Sequence, residues 1–174
     1  MRTLLALDLP KVFLGIGEGG VFDRPVRVET VLGSCVAVTL HCPVLRVGAA
    51  FHAFMPYRDQ GAGGGPLPEE YRFVDAAVET VWRQLARLGT LAGRVQAKVF
   101  GGASGLVPAE MGVGLRNVRA AFEALALCGI RVAASSVGGD VGRRLVFFPA
   151  SGDVLVRRLP RLDEGGAARA GGAA

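Results

Sequence analysis

Val74, Val78, Val81, Leu85 and Leu88 recur at spacings of three and four, the period of one face of a helix. From Gly114 the same spacing returns in Leu115, Val118, Phe122 and Leu125, ending at Cys128-Gly129. The other apolar residues come in short runs closed by glycine or proline, which read as strands. Among them are "KVFLGIGEGGVF", "VRVETVLGSCVAVTL", "VLRVGAAFHAFMP", "RVQAKVFGGAS", "IRVAASSVGG", "RRLVFFPASG" and "DVLVRRL". Two main helices among seven or so strands predict a layered α/β sandwich, an α+β arrangement of mainly antiparallel strands. Cys42-Pro43 and "ASGD" mark hairpin turns, and Gly89 is placed to end the first helix, whose period starts at Glu69.

The expected domain is single and spans residues 1–160. The tail, residues 161–174, has no apolar period and is expected to be disordered. Three consecutive glycines and two prolines in "YRDQGAGGGPLPEE" exclude a helix or central strand there,, and its Gln60–Pro68 portion is a candidate lid or linker. The net charge of +5 raises nucleic acid as a partner,. Scattered arginines with no run longer than two, and no interleaved aromatics, argue against it. No apolar stretch approaches the length that spans a membrane. The start "MRTLLALDLPKV" meets Asp8 and Pro10 too soon for a signal peptide, so the expectation is a cytoplasmic protein without membrane insertion. Three cysteines do not make a disulfide framework.

"LGSC" at the head of a strand-like run sets the chemical question. Gly33, Ser34 and Cys35 are poor residues for packing alone, and His52 stands in the next run, seventeen positions on. If the intervening turn falls near Pro43, the two strands are antiparallel neighbours and the side chains can face each other. An imidazolium beside the thiol would lower its pKa and give a thiolate nucleophile. Gly33 would let the backbone bend so that amides near Ser34 and Cys35 form an oxyanion hole. The bland alternative is a small core cysteine and a satisfied core histidine. Cys35, His41, Cys42 and His52 are zinc-type ligands, but adjacent His41 and Cys42 should point apart and no CxxC is present, so neither metal nor cofactor is expected. "GIGEGG" and "GGASG" lack the P-loop lysine and hydroxyl and read as turns.

"TVLGSCVAVTL", "GAAFHAFMP", "AKVFGGAS" and the "GLRNV" segment together resemble the CheD family of chemoreceptor glutamine deamidases, from about Val12 to Leu159. The resemblance implies a protein-glutamine deamidase that hydrolyses glutamine side-chain amides on the cytoplasmic helices of methyl-accepting chemoreceptors. It implies a Cys–His–Thr catalytic set on an α/β sandwich, with Cys35 as nucleophile and His52 as base. In many relatives the threonine lies six residues before the cysteine. Here that position is Glu29, and Thr30 comes five before, so Thr30 is the candidate orienting residue and Glu29 the alternative. The resemblance also offers a different class of function, a non-catalytic adaptor that binds receptors or a CheC-type phosphatase. A cysteine protease or transglutaminase on the same dyad is a third reading.

Overall fold

The computed structural model describes residues 8–58, 69–105 and 112–160. The Gln60–Pro68 loop, the first seven residues and the tail after residue 160 lie outside the described residues.

Nine strands form two sheets among the described residues. One sheet has the order β1-β3-β8-β9, with β1 at Lys11–Phe13, β3 at Arg27–Leu32, β8 at Arg143–Phe148 and β9 at Asp153–Arg158. The other has the order β2-β5-β4-β6-β7, with β2 at Glu18–Phe22, β4 at Val36–Cys42, β5 at Val47–Ala53, β6 at Gln96–Gly101 and β7 at Arg131–Val137. Pairing is antiparallel except at β1–β3 and β6–β7. Helices α1 (Val74–Ala86) and α2 (Val113–Leu127) cover the outer face of the five-stranded sheet.

The layers follow from strand alternation. On β4 and β5, Val36, Val38, Leu40, Ala49, Phe51 and Ala53 face the helices and meet Val78, Val81, Leu85, Ala121 and Leu125 there. The alternate positions face the four-stranded sheet, where Ala37 and Phe100 pack with Leu32 and Leu145, and Ala50 packs with Val28 and Phe147. These two thin apolar layers meet across a seam that also carries polar side chains.

Sequence and structure differ at informative places. The run "KVFLGIGEGGVF" is two strands that join different sheets, and "VRVETVLGSCVAVTL" is likewise divided between β3 and β4. The period from Glu69 begins as a 3-10 turn, Glu69–Tyr71, before α1. Leu88 falls beyond the end of α1 and is exposed, whereas Gly89 takes the left-handed φ expected of a helix stop,. On α2 the buried face is Gly114, Asn117, Val118, Ala120, Ala121, Ala124 and Leu125, and Phe122 is left partly exposed. Small residues win that face because α2 lies close to the chain after β6. A Cβ on Gly114 would come within 2.6 Å of Gly102 O.

Candidate active site

Residues 33–35 are where the chain leaves the four-stranded sheet and enters the five-stranded one. That crossing explains why a strand-like run is interrupted by Gly-Ser-Cys. The bend is held from outside. Gly33 O accepts from Ala103 N–H at 2.9 Å and Cys35 O accepts from Gly102 N–H at 2.8 Å. The close approach needs glycine at 101, where φ is 103° and a Cβ would stand 2.2 Å from Cys35 O. Gly33 lies outside the left-handed region and has open space where a Cβ would go. The conformational freedom expected of Gly33 is therefore used at Gly101 and Gly102 instead.

The β4–β5 register sets the relation of thiol to imidazole. Cys42 pairs with Val47, so the turn is Pro43–Arg46, and Arg46 closes it with a left-handed φ of 54°. Centring the turn past Pro43 makes Ala37, not Cys35, the residue directly across from His52. Cys35 packs against Ala37, Leu32, Phe100 and Leu145, so it lies in the seam between sheets, on the same face as His52. The two are diagonal neighbours, a relation of roughly 7–8 Å across a strand pair that a ring can bridge. Cys35 is half-buried and His52 buried.

Thr30 reaches this seam from β3. Alternation points Val28, Thr30 and Leu32 inward, and Glu29 and Val31 outward,. Thr30 Oγ1 lies 2.9 Å from His52 Nδ1 and donates its proton to Leu14 O at 2.8 Å. A hydroxyl has one proton to give, so toward His52 it can only accept. Nδ1 therefore carries the imidazole hydrogen, and Nε2 is left as the proton acceptor. Nε2 is buried and has no protein partner among the described residues. Glu29, the alternative third residue, is bound on the other side of β3. Its Oε2 takes a hydrogen bond from Arg144 Nη2 at 2.8 Å, with Arg27 Nε 3.5 Å from Oε1 and Lys11 Nζ 3.8 Å from Oε2. The Arg144 hydrogen bond is the main reason its carboxyl sits below the usual range.

Burial pushes the Cys35 thiol up, opposed by its own backbone N–H, and pushes the His52 imidazole down, opposed by the Leu14 backbone and Glu18,. Both shifts favour the uncharged forms, a thiol and a neutral imidazole, over the imidazolium–thiolate pair expected from the sequence.

The zinc-type ligands are dispersed. His41 sits at the far end of β4, where its Nδ1 donates to Pro149 O at 2.9 Å, and Cys42 faces the helices with Sγ 3.1 Å from Thr90 Oγ1. A cavity of about 790 Å³ lined by His41, Arg46, Lys98 and Asp153 also lies at that end, about 20 Å along β4 from Cys35 at the usual rise per residue. None of Thr30, Gly33, Ser34, Cys35 and His52 lines it. A small cleft of about 80 Å³ adjoins the loop that holds Cys35, lined by Gly102, Ser104, Leu115 and Gly138 among others.

Two polar residues escaped sequence reasoning. Arg143 is buried and donates to Ser136 Oγ, Gly138 O and Val141 O, bracing the β7–β8 connection. Asn117 is buried on α2 and donates through Nδ2 to Ser34 O at 3.0 Å and Phe54 O at 3.2 Å. Its signal was present: with Gly114, Ala121 and Leu125 it completes a helical stripe, as the lone polar member.

Comparison with known proteins gives a family model, CheD chemotactic sensory transduction, that matches residues 54–158. That segment begins just after His52, and the curated relatives extend the likeness over most of the chain. A protein of Maridesulfovibrio salexigens named "Probable chemoreceptor glutamine deamidase CheD" is 39% identical over 161 residues, 88% of this chain and 95% of that one. One of the same name from Nitratidesulfovibrio vulgaris is 42% identical over 92% of this chain and 83% of its own. The "Chemoreceptor glutamine deamidase CheD" of Thermotoga maritima is 36% identical over 86% of this chain and 92% of its own. Among solved structures, that of Bacillus licheniformis hypothetical protein YfiH aligns with a TM-score of 0.44 at 14% identity, over 68% of this chain and 50% of that one. With a family model over more than half its length and relatives matched nearly end to end, the chain belongs to the CheD family.

Proposed function

We propose that this protein is a protein-glutamine deamidase acting on chemoreceptor cytoplasmic helices, with Cys35, His52 and Thr30 as its reacting and orienting groups. The supporting observation is the chain Leu14 O, Thr30 Oγ1, His52 Nδ1, which leaves Nε2 as a base on the face that carries the Cys35 thiol. The relatives' printed names support the substrate class.

In this reading His52 Nε2 takes the thiol proton as the sulfur attacks the carboxamide carbon of a glutamine side chain. The C–S bond forms, and the carbonyl electrons move to oxygen, which the Cys35 amide stabilises with support from the Gly33-Ser34 backbone. The tetrahedral species collapses with C–N cleavage, and the proton on Nε2 passes to nitrogen so that ammonia departs. Water then attacks the thioester, its proton taken by Nε2, and breaking the C–S bond returns the thiol and a glutamate carboxyl. A neutral resting pair suits this cycle, because the proton moves only when the bound amide gives the sulfur something to attack.

The test is a receptor cytoplasmic fragment with glutamines at its methylation sites, incubated with wild type and Cys35→Ala and read by mass. Wild type should convert amide to acid and the variant should not. Equal product from both would refute the reading. Binding to the receptor fragment without conversion by wild type would leave the adaptor reading in its place.

A further inference from the structure

Three successive carbonyls of the crossover loop are tied down. Those of Gly33 and Cys35 are held by backbone amides of Ala103 and Gly102. The one between them, Ser34 O, is held by a side chain, Asn117 Nδ2. The second Nδ2 hydrogen goes to Phe54 O, two residues beyond His52. A side-chain amide has two donors on one nitrogen, and both are spent at the two segments that carry the thiol and the imidazole. Asn117 is fully buried, yet its Oδ1 meets no partner among the described residues. A buried acceptor without a partner is destabilising, so fold stability alone is a poor reason for asparagine here.

The orientation of one peptide follows. Across a trans bond the C=O and the next N–H point in opposite directions, and no cis bond occurs among the described residues. With Ser34 O drawn toward α2, the N–H of Cys35 is turned away from it, toward the seam where the Cys35 side chain packs. The same N–H lies where it stabilises the Cys35 thiolate.

We propose that Asn117 is a positioning residue, holding the Ser34 carbonyl so that the Cys35 amide faces the oxyanion, and holding Phe54 O so that the nucleophile's loop and the base's strand keep one spacing. The oxyanion itself rests on the deamidase reading. The orientation of the peptide does not.

The experiment compares Asn117→Ala and the isosteric Asn117→Asp with Leu125→Val, a mild core change on the same helix. Three quantities are measured on the full chain: kcat and KM on the receptor fragment, thermal unfolding, and the pH profile of iodoacetamide alkylation followed on the Cys35 peptide. Loss of one oxyanion donor is worth roughly a hundredfold or more in kcat. The Asn117 variants should lose kcat on that scale with KM within a few-fold, and their alkylation profile should shift to higher pH. Leu125→Val should keep kcat and profile at whatever stability it retains. The proposal is overturned if the Asn117 variants keep kcat, lose it only in step with their folded fraction, or alkylate with an unshifted profile. A wild type that deamidates nothing would refute the deamidase reading, and the alkylation shift would still decide the peptide's orientation.

Discussion

A threonine hydroxyl is a small group on which to rest a base, and its effect is to choose between two tautomers. Because Thr30 spends its proton on Leu14 O, it offers His52 Nδ1 only an acceptor. Thr30→Val keeps the shape and removes that acceptor. A buried N–H without a partner costs about 1–3 kcal/mol, and the tautomer with hydrogen on Nε2, useless as a base, gains by that amount. At 1.36 kcal/mol per tenfold, kcat should fall roughly ten- to a hundredfold with KM little changed, and Thr30→Ser should restore most of it. Steady-state kinetics on the receptor fragment decide this, and an unimpaired Thr30→Val would remove Thr30 from the site. Glu29→Gln should leave kcat alone, because that carboxylate faces Arg144, Arg27 and Lys11 across the strand. Spacing from Cys35 made Glu29 and Thr30 rivals. Alternation along β3 separates them, since Thr30 shares its face with Val28 and Leu32.

At the scale of elements, the site is a bend held by another bend. Gly101 ends β6 with a φ of 103° and no room for a Cβ beside Cys35 O. Gly101→Ala should cost about 1–2 kcal/mol for the left-handed conformation and more for the clash, and it should cut activity by displacing Cys35. Gly33→Ala, with open space and an ordinary φ, should unfold and turn over much as wild type does. Denaturant midpoints and kcat for the pair test this, and the reverse ranking would contradict the placement of the bend. Much of the fold was legible: both helices, the β4–β5 and β8–β9 hairpins, and the pairing of the strand that follows Cys35 with the strand that carries His52. The division of "VRVETVLGSCVAVTL" between two sheets was not, because β3 and β4 alternate alike and three bend residues do not say which sheet comes next. The register was missed for a related reason. Arg46 takes a left-handed conformation usually given to glycine or asparagine, so nothing in "CPVLR" marks where the turn is centred. Asn117 was hidden because alanines carry the buried face of α2, and larger residues such as Phe122 drew the expected face away from it.

Over the whole molecule the seam between sheets holds both histidines, one near each end, and both are kept neutral mainly by burial. Each has a folded pKa below the ordinary 6.5, so the unfolded chain binds protons that the folded one refuses. The sign follows from linkage: stability is complete above about pH 6.5, declines as pH falls below that value, and levels off once the folded pKa values are passed. Each histidine contributes at most about 1.4 kcal/mol per pH unit within that window. Glu29 acts separately, because its lowered pKa keeps its contribution intact above 4.5 and loses it as pH falls through the folded value,. Urea midpoints from pH 8 to 5 should therefore be level at the top and descend below about 6.5, and the His41→Gln/His52→Gln double variant should flatten the descent. A wild-type profile flat through this range would mean that water reaches the imidazoles. His52 would then titrate as it does in the unfolded chain, and its neutral form would owe nothing to burial in the seam.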